Sequence, residues 1–172
     1  MASIRTMTDR AVTLGTASKL LAPGLRVGWV AAPDWLFGPL VRMKQARDLH
    51  TSTLAQHLAL DVLADGAFMA GHLAGLPVTY RVRCEALAGA LEERFGDRAL
   101  FNDPDGGMFL WGSFPGVDSE AWLRRAVDAG VAFVPGTAFY RDGGGRHEVR
   151  FSFATLAPAQ LVTASERLFA SI

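Results

Sequence analysis

From about residue 97 onward the chain is cut into short apolar runs separated by helical segments, and no other feature limits the fold as much. The runs at 99–101, 108–112, 131–134 and 148–153 are each bounded by turn residues, as strands of a sheet are. Between them, residues 118–130 have an acidic first turn and place Leu123, Ala126 and Val127 at the spacing of a buried helical face. A last helix is expected after Pro158, on Leu161, Ala164, Leu168 and Ile172. Strands separated by helices predict an α/β or α+β lobe.

The preceding residues predict more helix. Two short strands are expected at 11–14 and 25–31, with a polar, glycine-bearing loop over 15–24. Asp34, after Pro33, is expected to cap a helix built on Leu36, Phe37, Leu40, Val41 and Met43 and running to about His50. A second helix is expected over 53–63, with Leu54, Leu58 and Val62 on one face and Gly66 ending it. A third begins near Pro77, where Tyr80, Cys84, Leu87 and Leu91 recur along one face, and Gly96 stands just past its end. No internal repeat or low-complexity segment interrupts this order.

Composition narrows the function classes. Half of the 172 residues are apolar, enough for a buried core and too many for a disordered chain. The 17 basic and 17 acidic residues balance and form no run of like charge, which argues against nucleic-acid and membrane contacts. A stretch of about 18 uncharged apolar residues, the length that crosses a membrane, does not occur. The first residues lack the apolar segment of a secretory signal, so a cytoplasmic location is expected. Cys84 stands alone and cannot close an intramolecular disulfide.

His50 and His57 have no cysteine or acidic partner at metal-ligand spacing, so no metal site is expected. The triplet Gly143, Gly144 and Gly145 lacks the strand-to-helix setting of a phosphate cradle and reads as a flexible connection. Ser113 and Ser152 read as ordinary strand residues.

The chemistry concentrates in Gly15-Thr16-Ala17-Ser18-Lys19-Leu20-Leu21-Ala22-Pro23-Gly24-Leu25-Arg26-Val27-Gly28-Trp29. Of 17 basic residues only Lys19 and Lys44 are lysines, so a lysine in this loop asks for a reason. Flanked by Leu20 and Leu21, Lys19 is a candidate for partial desolvation, which favours the neutral amine that attacks carbonyls. Thr16, Ser18 and Arg26 offer hydroxyls and a planar fork of donors suited to a phosphate. Read by residue type alone, the same segment is more simply a solvated lysine in a turn beside a surface arginine.

The segment closely resembles the signature of the class I/II aminotransferases of pyridoxal-phosphate fold type I, in which a Ser-x-Ser-Lys tetrad precedes Ala-Pro-Gly-Leu-Arg-x-Gly-Trp. Thr16 and Ala17 depart mildly from the usual Ser-Phe, and threonine keeps the hydroxyl. The resemblance continues in order through residues 51–56, 106–111, 131–136 and 139–140 to the strand bearing Arg150, and so covers essentially the whole chain.

It implies that Lys19 carries pyridoxal 5'-phosphate as a Schiff base and acts as the general base. Thr16, Ser18 and Arg26 would bind the phosphate, and Arg150 the α-carboxylate of the substrate. Without an anion, an arginine in this apolar strand would be costly, unless the strand lies at a sheet edge with its charge in water.

The fold implied is the C-terminal part of a PLP-dependent transferase fold. Residues 1–72 would be the last portion of the large cofactor-binding domain, and 73–172 a long connecting helix with a small α+β domain. The activity implied is transfer of an amino group between an amino acid and a 2-oxo acid by a homodimer similar to the 2-aminoadipate-type enzymes. Family members supply further cofactor contacts ahead of the lysine, among them the aspartate on the pyridine nitrogen, so an incomplete site is expected in this chain alone. The aminotransferase-like, ligand-sensing domain of MocR/GntR-type transcriptional regulators resembles the same residues and stands as the alternative.

Overall fold

Trp29 and Gly15 set the first element. In the computed structural model, which describes Thr8 and residues 10–172, strand β1 (Thr13–Thr16) pairs antiparallel with β2 (Gly28–Ala31) and Gly15 faces Trp29. A Cβ at position 15 would run into the indole, so glycine is what lets the ring lie across the strand. Both strands differ from expectation. β1 starts at Thr13, which makes Gly15 and Thr16 strand rather than loop. β2 starts only at Gly28, because a short 3₁₀ helix (Pro23–Leu25) and Arg26 in the left-handed conformation (φ 53°) break the extended chain before it.

Helix α1 (Asp34–Asp48) is preceded by Pro33, which takes the cap position expected of Asp34. Asp34 instead places its charge in the first turn, against the positive end of the helix dipole. α1 stops before His50 because Leu49 (φ 65°) forms a tight turn in which the His50 N–H donates to the Asp48 carbonyl at 2.7 Å. Helix α2 (Thr53–Ala64) is capped by Ser52, whose hydroxyl accepts the Ala55 N–H.

Gly66, expected to end α2, opens the next helix instead. The Asp65 carboxylate accepts the Phe68 N–H at 2.9 Å and so starts α3 (Gly66–Phe95) well before Pro77, which lies inside that helix. A proline there cannot donate to the carbonyl of Leu73 four residues back. The chain divides into two units within α3, Met1–Leu73 and Ala74–Ile172. Gly96 follows the helix with φ 50°, a conformation that suits glycine just past a helix end.

The second unit holds an antiparallel sheet in the order β3 (Leu100–Phe101), β4 (Phe109–Ser113), β6 (Glu148–Ser152), β5 (Val134–Pro135). Of the run 131–134 only Val134 joins it, and the strand ends at Pro135 on an open edge where the missing N–H is tolerated. With helices α4 (Ser119–Asp128) and α5 (Pro158–Ala170), this is an α+β lobe, as the alternation of strands and helices predicts.

Its core centres on Trp122, which is fully buried and meets the rings of Phe95, Phe114 and Phe133 at centroid distances of 6.0, 4.8 and 4.9 Å. The Trp122 indole N–H donates to Ser171 at 3.0 Å, which satisfies the ring's only polar atom. The buried face of α4 is thus Ser119, Trp122 and Ala126, while Val127, expected inside, is exposed. On α5 it is Leu161, Ser165 and Leu168, with Ile172 exposed beyond the helix end. Among the described residues no single helix is long and apolar enough to cross a membrane.

Asp118 caps α4, its Oδ1 accepting from the Glu120 and Ala121 N–H groups at 3.0 Å and its Oδ2 from Arg146 at 3.1 Å. The Ala121 amide first, and then the Arg146 guanidinium, hold its carboxyl below the usual carboxylate range. A depressed folded pKa contributes stability that is present above the unfolded value and lost as pH falls through the folded one. Thermal unfolding measured from neutral to strongly acidic pH will therefore show a smaller loss for Asp118→Asn, which cannot ionise, than for the parent chain. Trp122→Ala will lower unfolding stability by about 3–5 kcal/mol in urea titrations, the usual cost of emptying a large aromatic site.

Candidate functional site

The hydroxyl of Thr16 organises the turn that follows β1. It accepts the Ser18 N–H at 3.1 Å and lies 3.4 Å from the Val27 carbonyl, to which it donates. The Ala17 N–H donates to the same carbonyl at 2.9 Å, and the Leu21 N–H closes the turn on Ala17 at 2.8 Å. Ala17 is fully buried, Ser18, Leu20 and Leu21 are half-buried, and Lys19 is exposed. The desolvation expected from Leu20 and Leu21 is therefore not met, because the turn tucks its small and apolar residues in and carries the lysine outward.

Arg26 stands on the returning arm. Its backbone N–H and its Nη1 both donate to the Pro23 carbonyl, at 3.3 and 3.4 Å, which leaves most of the guanidinium donors uncommitted. Its left-handed backbone (φ 53°, ψ 31°) is uncommon for a side chain of this size and costs about 1–3 kcal/mol. Strain of that kind marks positions held for a purpose other than stability. One hairpin thus presents Thr16, Ser18, Lys19 and Arg26.

One contact to this turn has no signature in the sequence. His72, on α3, brings its Nε2 to 2.7 Å from the Leu20 carbonyl, and its ring stacks on Phe68 with centroids 5.7 Å apart and planes 8° from parallel.

Arg150 belongs to the second unit. β6 lies between β4 and β5, which removes the edge-strand reading of its charge. Along β6, Val149 and Phe151 are buried in the core while Glu148 and Arg150 take the opposite face. The Arg150 guanidinium carbon sits 4.1 Å from the centroid of the Phe109 ring and 4.6 Å from that of Phe139. Among the described residues its Nε is buried without a hydrogen-bond partner. Two rings that fix the plane of a guanidinium, with a donor left over, suit an anion that arrives in that plane.

The same face carries a second carboxylate-centred cluster. One oxygen of Glu148 accepts the Trp111 indole N–H at 3.0 Å and the Tyr140 hydroxyl at 2.8 Å. The hydrogen bond to Glu148 pushes the Tyr140 hydroxyl above its ordinary pKa, and the carboxylate charge adds to the effect. Trp111 also packs edge-on against Phe139, at 5.2 Å. The glycines at 143–145, expected to be a flexible connection, form a packed turn. A Cβ at Gly144 or Gly145 would meet the Tyr140 ring, and both Gly143 and Gly145 have positive φ. Gly136 likewise lets the short 3₁₀ helix that carries Phe139 (Gly136–Phe139) lie against Glu148.

Residues 2–168 match the family model described as Aminotransferase class I and II. The chain is 36% identical over 164 residues to aromatic-amino-acid aminotransferase 1 of Thermococcus litoralis, covering 95% of this chain and 39% of the relative. It superposes with a TM-score of 0.86, at 37% identity, on an alpha-aminoadipate aminotransferase from Thermus thermophilus solved with N-(5'-phosphopyridoxyl)-L-leucine, covering 93% of this chain and 41% of that one. It is also 28% identical over 148 residues to an uncharacterized HTH-type transcriptional regulator of Bacillus subtilis, of which it covers 30%. The chain therefore spans about two fifths of the length of the aminotransferases it matches. With residues 2–168 matched to the family model, the chain belongs to the class I and II aminotransferases.

Proposed function

We propose that this chain is the cofactor-lysine portion of an aminotransferase that moves an amino group between an amino acid and a 2-oxo acid. The observation that carries the reading is the convergence of a primary amine, two hydroxyls and a strained arginine on one hairpin. That donor set fits a ligand that is an aldehyde at one end and a phosphate dianion at the other. When bound, pyridoxal phosphate supplies the aldehyde and an electron-withdrawing ring.

Lys19 would hold the cofactor through Nζ and would move the proton at the substrate Cα. Arg26 and Ser18 hold the phosphate. Thr16 joins them by turning its hydroxyl from the Val27 carbonyl, a bond at the long limit of the range. Arg150, its orientation restricted by the Phe109 and Phe139 rings, takes the substrate α-carboxylate. In this reading residues 1–72 are the last part of a large cofactor-binding domain and 73–172 a connecting helix with a small domain, in a cytoplasmic homodimer.

The resemblance to an HTH-type regulator favours a second reading, in which the same site senses an amino acid without turning it over. The two part on turnover. Supplied with an amino acid and a 2-oxo acid, the natural full-length protein exchanges their amino and oxo groups under the first reading and leaves both unchanged under the second.

Two measurements test the site itself. Incubation of the chain with pyridoxal phosphate, followed by borohydride and peptide mass spectrometry, is expected to place a fixed adduct on Lys19. Arg26→Gln should raise the concentration for half-labelling about tenfold, since a charge-assisted bond to phosphate is lost. An adduct spread over Lys19 and Lys44 alike, or labelling indifferent to Arg26, would refute the reading. Separately, titration with an amino acid should move the Arg150 Nε–H resonance in nitrogen-15 spectra, and Phe139→Leu should weaken that response several-fold by releasing one side of the clamp. A resonance that does not move counts against Arg150 as the carboxylate site.

A further inference from the structure

We propose that His72 is a positioning residue for Lys19: by donating from Nε2 to the Leu20 carbonyl, it fixes the turn from which the lysine projects. The proposal rests on the reading of Lys19 as the cofactor lysine. The hydrogen bonds within the turn are local, joining Ala17 to Val27, Ser18 to Thr16 and Leu21 to Ala17. The bond from His72 comes from 52 residues away and grips the Leu20–Leu21 peptide, at the carbonyl of the residue that follows the lysine. At 2.7 Å and half-buried, it is short and shielded from competing water.

A carbonyl has no proton to give, so this bond requires that Nε2 carry one, which fixes the ring's tautomer. Phe68, one turn earlier on α3, stacks on the imidazole and sets its plane. The pair thus ties the lysine turn to a helix rather than leaving it as a free hairpin tip. Without the donor, the Leu20 carbonyl loses a half-buried partner and the Leu20–Leu21 peptide is held only by the Leu21 N–H, which donates to Ala17. The amine then spends less time where an aldehyde held by Arg26 and Ser18 would meet it. His72 touches only backbone, so its effect passes through the position of Lys19 and not through proton transfer.

Two substitutions in the 172-residue chain separate donor from ring. His72→Phe keeps a ring for Phe68 and removes the donor, whereas His72→Gln keeps an N–H donor and removes the ring. Hydrogen exchange at the Ala17 and Leu21 amides and the rate of borohydride-fixed labelling of Lys19 by pyridoxal phosphate are then compared. His72→Phe should exchange these amides about tenfold faster and label Lys19 about tenfold more slowly, while His72→Gln stays within about threefold of the parent on both. Amides elsewhere on α3 should be unchanged in either variant.

Equal damage from both substitutions, or loosening spread over the whole first unit, overturns the proposal. Nitrogen-15 NMR of the unsubstituted chain gives a reading that does not depend on a variant folding: Nε2 must bear the proton, and a bare Nε2 overturns the assignment. If Lys19 takes no label in the parent chain while turn exchange still follows the donor, the anchoring by His72 stands and the cofactor reading is what fails.

Discussion

The two-residue period of β6 ties the core of the second unit to its chemistry. Val149, Phe151 and, just beyond the strand, Phe153 are drawn into the apolar core by burial, and that commitment leaves Glu148 and Arg150 no choice of face. A slip of one residue would bury a carboxylate and a guanidinium and expose two large apolar side chains, so the register is held by the hydrophobic effect. Opposite them, β4 obeys the same rule, with Leu110 inside and Phe109 and Trp111 on the functional face. Arg150 therefore meets Phe109 and Phe139, and Glu148 meets Trp111 and Tyr140, as consequences of where Trp122 and its aromatic neighbours pack.

The first unit reaches a comparable result by local geometry. Its hairpin has little buried surface, and what shapes it is a set of backbone constraints. Gly15 admits Trp29, Thr16 bonds across to Val27, and Arg26 accepts a left-handed conformation after the 3₁₀ helix. These hold a lysine, two hydroxyls and a guanidinium on one short stretch while leaving Lys19 open to solvent. His72 supplies the one long-range bond to that turn among the described residues.

Much of this was legible in the residues. The segment from Thr16 to Arg26 marks the family by its resemblance to the signature, and its shape is local because a hairpin loop is dictated by neighbours a few residues apart. Gly96, the capping Ser52 and the strands around Leu110 and Val149 follow from equally local preferences. The misreadings have a common cause, which is that local signals compete. Gly66 looks like a helix end until the Asp65 carboxylate is seen to start a new helix, and Pro77 looks like a beginning because proline usually is one. Val127 has the right spacing to be buried, but the larger Trp122 takes the core and turns that face of α4 outward.

The sequence by itself determined the family, the order of strands and helices, and the identity of Lys19, Arg26 and Arg150 as the residues worth attention. All of these are written in types and spacings along the chain. Only the tertiary structure decided that Lys19 is exposed, that Arg150 on an interior strand lies against two rings with its Nε buried and, among the described residues, unpartnered, and that His72 reaches Leu20. Each of these depends on atoms brought together from distant parts of the chain by burial elsewhere, and no spacing along the chain encodes such a meeting.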